Sequence, residues 1–167
     1  MKKFVSLLLL SLLVLSLLTA CGQTEPAPEE VSQPAPTTEE VSLVPISASQ
    51  ISDGTYEITV ASSSSMFRVV RCILTVEGDA MTAAMTMSGQ GYGFVYLGTG
   101  EEALQDTEDT YVPFVLDSEG AKTFTVPIEA LDQETDCAAW SIRKEKWYDR
   151  VLVFESAQIP AEALTLE

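Results

Sequence analysis

A short stretch near the end of the chain, RKEKWYDRVLVFES, combines basic and aromatic residues with the pattern of an apolar strand. Guanidinium and ammonium groups form charge-assisted hydrogen bonds with carboxylates and phosphates, and aromatic rings add contact area for the rest of a ligand. This chemistry predicts a site for a small anionic ligand. Its candidate residues are Arg143, Lys146, Trp147, Tyr148 and Arg150. The alternative is that the bases form surface ion pairs with nearby acids, which are worth little individually; these acids are Asp136, Glu145 and Asp149.

The chain contains no histidine. This excludes His-based zinc sites and nucleophile–histidine pairs, and it removes the usual general base at neutral pH. Ser141 and Lys144 match the pattern S-x-x-K, but the segment follows a strand pattern and no SDN or KTG partner occurs. The carboxylates between Asp106 and Asp109 lack the spacing of a calcium loop. We therefore predict that the protein is not an enzyme, with no catalytic residue and no metal site.

The N-terminal residues are typical of an export signal. Lys2 and Lys3 precede an uncharged run from Phe4 to Leu18, which ends in Leu-Thr-Ala-Cys at Cys21. This ending resembles the lipobox of bacterial lipoproteins, in which the cysteine sulfur receives a diacylglycerol and becomes the new N-terminus. The resemblance implies that residues 1–20 are a signal peptide and that lipidated Cys21 anchors an extracytoplasmic protein to the cell membrane. A transmembrane helix is the alternative, although the run is short for a bilayer span.

Residues 21–45 are rich in Pro, Glu, Thr and Ser and contain the tripeptide Pro-Ala-Pro twice. Such a segment has too few apolar side chains to offset the entropy of ordering, so it predicts a disordered linker. The whole chain carries a net charge of −16, which becomes more negative when the signal and its two lysines are removed. A surface of this charge repels nucleic acid, and we expect no nucleic-acid partner.

Residues 46–167 have the length of one domain, and their apolar residues mostly recur with a period of two. The clearest hairpin joins RVVRCILTV to AMTAAMTM through Gly78, with Val70, Cys72 and Leu74 predicted to share one face. Pro113 and Pro127 place their strands at sheet edges or strand ends. About seven to eight short strands at regular spacing predict an all-β fold, an antiparallel immunoglobulin-like β-sandwich.

Two further cysteines, Cys72 and Cys137, each lie within an apolar segment of this domain. In an oxidising compartment such a pair can form a disulfide, provided that the two strands are neighbours. Two buried free thiols are the alternative. The sequence leaves both open.

The order of features from Ser52 to Ser156 is similar to that of NEAT domains, also called iron-transport-associated domains. These features are the strand DGTYEITV, the small-residue segment from Ser62 to Met66, the hairpin VEGDAM, the strand TFTVPIEAL and the closing strand WYDRVLVF. NEAT domains are immunoglobulin-like sandwiches of exported proteins, and several of them bind haem.

The resemblance implies that Ser65 and Met66 form part of a lip over the ligand and that the Tyr148 phenolate ligates haem iron. Haem-binding members usually carry a second tyrosine four residues later, and this chain has Leu152 there. We expect a membrane-anchored lipoprotein that acts as a binding module for haem or another small anionic ligand. The alternative is a cell-surface structural or protein-interaction domain without a small-molecule ligand.

Overall fold

The computed structural model of the protein describes residues 44–165. The predicted signal peptide, Cys21 and nearly all of the predicted linker lie outside the described residues. The described elements are β1 (Ile46–Ser47), β2 (Gly54–Ser62), β3 (Val69–Glu77), β4 (Ala80–Met87), β5 (Tyr92–Leu97), α1 (Gly100–Gln105), β6 (Val112–Pro113), β7 (Val115–Leu116), β8 (Lys122–Ile128), β9 (Ala130–Leu131), β10 (Glu134–Ser141) and β11 (Lys146–Glu155), with 3-10 turns at Ala48–Gln50, Glu108–Thr110, Ser156–Gln158 and Ala161–Ala163. Within this range, no helix is long and apolar enough to cross a membrane.

Nine of these strands form one antiparallel sheet in the order β6-β5-β10-β11-β2-β3-β4-β8-β7, which nearly closes into a barrel. β2 joins the two halves of the sheet, since Gly54–Ile58 pairs with β3 and Thr59–Ser62 pairs with β11. The halves therefore face each other across one core, as the layers of a sandwich do. The prediction of an all-β antiparallel fold is confirmed, and seven of the described strands have six or more residues.

The predicted hairpin of β3 and β4 is also present, and Gly78 in its turn has a φ of 58°. Cys72 and Leu74 are fully buried, as the alternation predicts. The assignment of Val70 to the same face was wrong, because its side chain is 56% exposed. A register shift between Val69 and Arg71 marks a β-bulge, and one extra residue reverses the alternation on the bulged strand.

Large apolar side chains fill the space inside the sheet, so the barrel is a packed core and not a channel. The largest of the fully buried ones include Phe67, Phe124, Phe154, Leu74 and Leu152. They come from both halves of the sheet and from the segment before β3.

Cys72 and Cys137 are two separate buried thiols in the structure. Cys72 lies on β3 and Cys137 lies on β10, with β11 and β2 between these strands in the sheet. The two strands do not pair with each other, although both side chains belong to the same core. The structure has the alternative, in which both thiols are free.

The short helix α1 packs on the outer face of β10 and β11. The Thr99 side chain accepts a hydrogen bond from the backbone N–H of Glu102, and the Glu102 carboxylate accepts one from the N–H of Thr99 at 2.8 Å. This capping box begins the helix. The N–H of Gly100 donates to Asp149 Oδ1 at 2.6 Å, and Ala103 is fully buried. These contacts fix α1 to the sheet.

Candidate functional site

A cleft of about 280 Å³ opens at one end of the barrel, where β4 and β10 end and where β3 and β5 begin. We call it the basic cleft. Residues that line it include Met66, Arg68, Met87, Tyr92, Ser141 and Arg143. Strand order brings them together, because they come from three separate parts of the sequence.

Side chains alternate between the inner and outer faces of the barrel along β11, and this alternation separates the predicted site residues into two groups. Tyr148 and Arg150 share a face with Leu152 and Phe154, which are both fully buried. Tyr148 therefore points inward and is half-buried, while Trp147 points to the outer face. Successive side chains of a strand alternate in this way, so the sequence already contained the signal that separates these two aromatic residues.

Tyr148 is flanked by two cations. Lys146 Nζ lies 4.5 Å from the centroid of the Tyr148 ring, and the guanidinium carbon of Arg150 lies 5.3 Å from it. Both distances allow cation–π attraction, which is strengthened where the groups are removed from water. The tyrosine thus holds two positive charges near the open end of the barrel.

Arg150 connects this arrangement to the cleft. Its Nη2 donates to the Tyr92 hydroxyl at 3.4 Å, and its Nη1 donates to the carbonyl of Asp149. Its Nε is buried and has no hydrogen-bond partner among the described residues. A buried N–H group without an acceptor is costly, so an acceptor brought by a ligand or a water molecule would stabilise this side chain.

Among residues 44–165, the bases at this end have no acidic partner in an ion pair. Within residues 44–165, the structure contains one ion pair, Arg71 Nε to Glu57 Oε2 at 3.8 Å, and both side chains are largely exposed. The remaining bases of this range are Arg68, Lys122, Arg143, Lys144, Lys146 and Arg150. The alternative to a ligand site was that these bases form surface ion pairs with Asp136, Glu145 and Asp149. None of these ion pairs is present among the described residues. Within the described part of the chain, the positive charge at this end is therefore not offset by a paired carboxylate.

Lys122 holds the backbone beside the basic cleft, and the sequence analysis did not identify it. It is 5% exposed, and its Nζ donates to the carbonyls of Gln90 at 3.0 Å and Tyr92 at 2.7 Å. Burial lowers the pKa of this ammonium. Because Lys122 holds the backbone before and at the start of β5, it positions Tyr92. The available signal was its place on the apolar face of β8, in alternation with Phe124.

The structure brings together some of the predicted residues and not others. Met66 and Arg143 line the basic cleft, and Arg150 is connected to it through its hydrogen bond to Tyr92. Tyr148 packs beside Arg150 and Lys146 packs beside Tyr148, but neither Tyr148 nor Lys146 lines the cleft. Ser65 does not line the basic cleft and instead lines a separate, smaller hollow with Ser62 and Ser64. Trp147 belongs to an aromatic cluster on the outer face.

Searches of protein-family models and of curated proteins find no match to this chain. Among residues 44–165, no three or more acidic or cysteine side chains are grouped so that they could hold a metal ion. What this end of the barrel offers is cationic and aromatic chemistry.

Proposed function

We propose that this protein is a membrane-tethered extracytoplasmic lipoprotein whose folded domain binds a small anionic ligand in the basic cleft. The observation that carries the proposal is a concentration of bases without acidic partners on a protein with net charge −16. A site that gathers one sign of charge raises the local concentration of ligands of the opposite sign. Arg68 and Arg143 line the cleft and supply the charge-assisted hydrogen bonds, while Arg150 behind them has a buried donor without an acceptor.

Ferric haem is the anion that the NEAT resemblance implies. The residues present do not provide the ligand pair of haem-binding members, because Leu152 stands where the second tyrosine would be and is fully buried in the core. Tyr148 is flanked by Lys146 and Arg150 instead. The same bases suit carboxylate or phosphate groups without any need for iron, and the proposal is therefore made for a small anion.

Isothermal titration of citrate and of pyrophosphate into the mature chain carrying Cys21→Ser tests the proposal. We expect one of these probes to bind, with an affinity that falls as salt is added. Loss of a charged hydrogen-bonding group should weaken binding about tenfold or more, so we expect this for Arg68→Gln and for Arg143→Gln.

Arg71→Gln is the matched control, because Arg71 is paired with Glu57 on β2 and does not line the cleft. It should bind as wild type does. The proposal fails if neither anion binds, or if Arg71→Gln loses as much affinity as the cleft variants. Haemin is titrated in a separate experiment. A Soret shift that disappears in Tyr148→Phe would show that the Tyr148 phenolate ligates haem iron, and it would contradict the proposal of a small anion that needs no iron.

A further inference from the structure

A second group of aromatic residues lies on the outer face of β5, β10 and β11, beside α1. Phe94, Tyr111, Trp140 and Trp147 line a hollow of about 480 Å³ together with Leu104, and we call this hollow the aromatic groove. Phe94 is 40% exposed and Leu104 is 72% exposed. Outward positions of an antiparallel sheet are normally polar, and a contiguous exposed apolar surface usually marks a binding site.

The rings hold each other in place. The centroids of Tyr111 and Trp147 are 4.9 Å apart, those of Trp140 and Trp147 are 5.5 Å apart, and those of Phe94 and Tyr111 are 6.1 Å apart, all in tilted or edge-on arrangements. The Tyr111 hydroxyl donates to the carbonyl of Ala103 in α1 at 2.6 Å. A ligand would therefore meet rings that are already arranged, which reduces the entropy cost of binding.

The charges around the groove are nearly all negative. Glu108 and Asp109 line it directly. Beyond Leu104 the groove continues into a second hollow that Glu101 and Glu145 line. Lys146 is the base that borders this second hollow, but its ammonium lies over the Tyr148 ring, whose side chain belongs to the opposite face of β11. The groove is thus electrostatically opposite to the basic cleft.

We propose that the aromatic groove is a second, independent binding site, and that its ligand is a small organic cation of the quaternary or alkyl ammonium class. Tryptophan, tyrosine and phenylalanine rings attract such cations through their π-faces, and the attraction is strongest at tryptophan. The apolar substituents of an alkyl ammonium ion suit Leu104 and the rings, while Glu108 and Asp109 attract its charge. An anionic ligand would be repelled here.

Tryptophan fluorescence tests this directly, because the two tryptophans of the chain are Trp140 and Trp147 and both line the groove. The mature chain carrying Cys21→Ser is titrated with choline and with 3,3-dimethyl-1-butanol, a neutral molecule of the same shape. We expect a saturable change in fluorescence with choline and a much weaker response to the neutral alcohol.

The variants separate charge from aromatic surface. Glu108→Gln/Asp109→Asn and Phe94→Leu should each weaken choline binding by about threefold to tenfold. Glu77→Gln/Asp79→Asn removes the same kinds of charge from the exposed β3–β4 hairpin and should leave the affinity unchanged. Arg143→Gln, which alters the basic cleft, should also leave it unchanged.

Three results would overturn the proposal. The first is the lack of any saturable change with choline. The second is equal binding of the neutral alcohol, which would show a general apolar surface. The third is wild-type affinity in both groove variants. Because the anion titration uses other residues and other probes, this proposal and the proposed function can fail separately.

Discussion

Cys72 and Cys137 show how strongly burial changes the chemistry of a single side chain. Desolvation raises the pKa of each thiol to about 12, and at Cys137 the charge of Arg150 opposes this effect without cancelling it. The thiolate is the reactive form, and at neutral pH it is almost absent for both residues. These cysteines therefore act as small apolar core residues, with access closed by packing.

We predict that neither thiol of the Cys21→Ser chain reacts with a disulfide reagent such as DTNB at pH 8 under native conditions, and that two thiols react after denaturation without a reductant. Burial prevents the first reaction, and the two thiols are not bonded to each other in the structure, so both are available for the second. Finding no reactive thiol in the denatured, unreduced chain would instead indicate the disulfide.

Gly100 allows α1 to approach the sheet. A Cβ at this position would lie 2.7 Å from Trp147 Cβ and 3.1 Å from Asp149 Oδ1. We predict that Gly100→Ala lowers the free energy of unfolding by about 1–3 kcal/mol, the usual cost of overpacking, as measured by urea denaturation. Gly89→Ala is the control, since nothing lies within 4 Å of its added Cβ. Equal stability of the two variants would show that α1 moves away at little cost.

At the scale of elements, the capping box of α1 couples the helix to pH. The backbone N–H and then the side chain of Thr99 stabilise the ionised Glu102 carboxylate, which lowers its pKa from the ordinary value of 4.5. A carboxyl group with a lowered pKa in the folded state stabilises that state fully at pH values above 4.5. This contribution is lost as the pH falls through the lowered value.

We predict that Glu102→Gln melts at a lower temperature than wild type at pH 7, and that the difference decreases as the pH is taken below 4.5. The adjacent Glu101→Gln is the control, because it removes an exposed charge from the same helical turn without touching the capping box. Thermal denaturation followed by circular dichroism at several pH values measures this. A difference that stays constant down to acid pH would contradict the assigned role of Glu102.

At the scale of the whole molecule, β10 and β11 together present two faces of opposite character. β10 and β11 present Tyr148 and Arg150 toward the inside of the barrel and Trp140 and Trp147 toward the outside. The proposed tether would hold this domain at a membrane surface through a linker that carries several acidic residues. Both proposed sites would then be presented on one anchored domain.

We predict that the full chain fractionates with membranes and that Cys21→Ser releases it into the soluble extracytoplasmic fraction or leaves it as an uncleaved precursor. Two acyl chains provide a stable anchor, so loss of their attachment point should remove almost all of the membrane-bound protein of mature size. Immunoblotting of cell fractions measures the outcome. Cys72→Ser is the control, because it also removes one thiol. A membrane-bound Cys21→Ser protein of mature size would exclude the lipid anchor, because an uncleaved precursor can stay with the membrane through its signal segment.

Much of the fold could be predicted because strand alternation is local. Cys72 and Leu74 are buried as the period of two requires, and the turn at Gly78 follows from its conformational freedom. The predicted burial of Val70 was wrong, because an alternating sequence pattern does not reveal where a β-bulge shifts the strand. Part of the candidate site could also be predicted, since Arg143 and Arg150 lie in one basic stretch of the sequence.

The all-β class, the signal-like N-terminus and the basic stretch can each be recognised from the sequence, because each depends on residues close together in the chain. The arrangement of the site depends on the folded structure. Packing buried Cys72 and Cys137 as two free thiols, and strand order brought Arg68 and Tyr92 to the same cleft as Arg143. Such pairings join segments that are distant in sequence, and their energies depend on packing and burial that no local pattern contains.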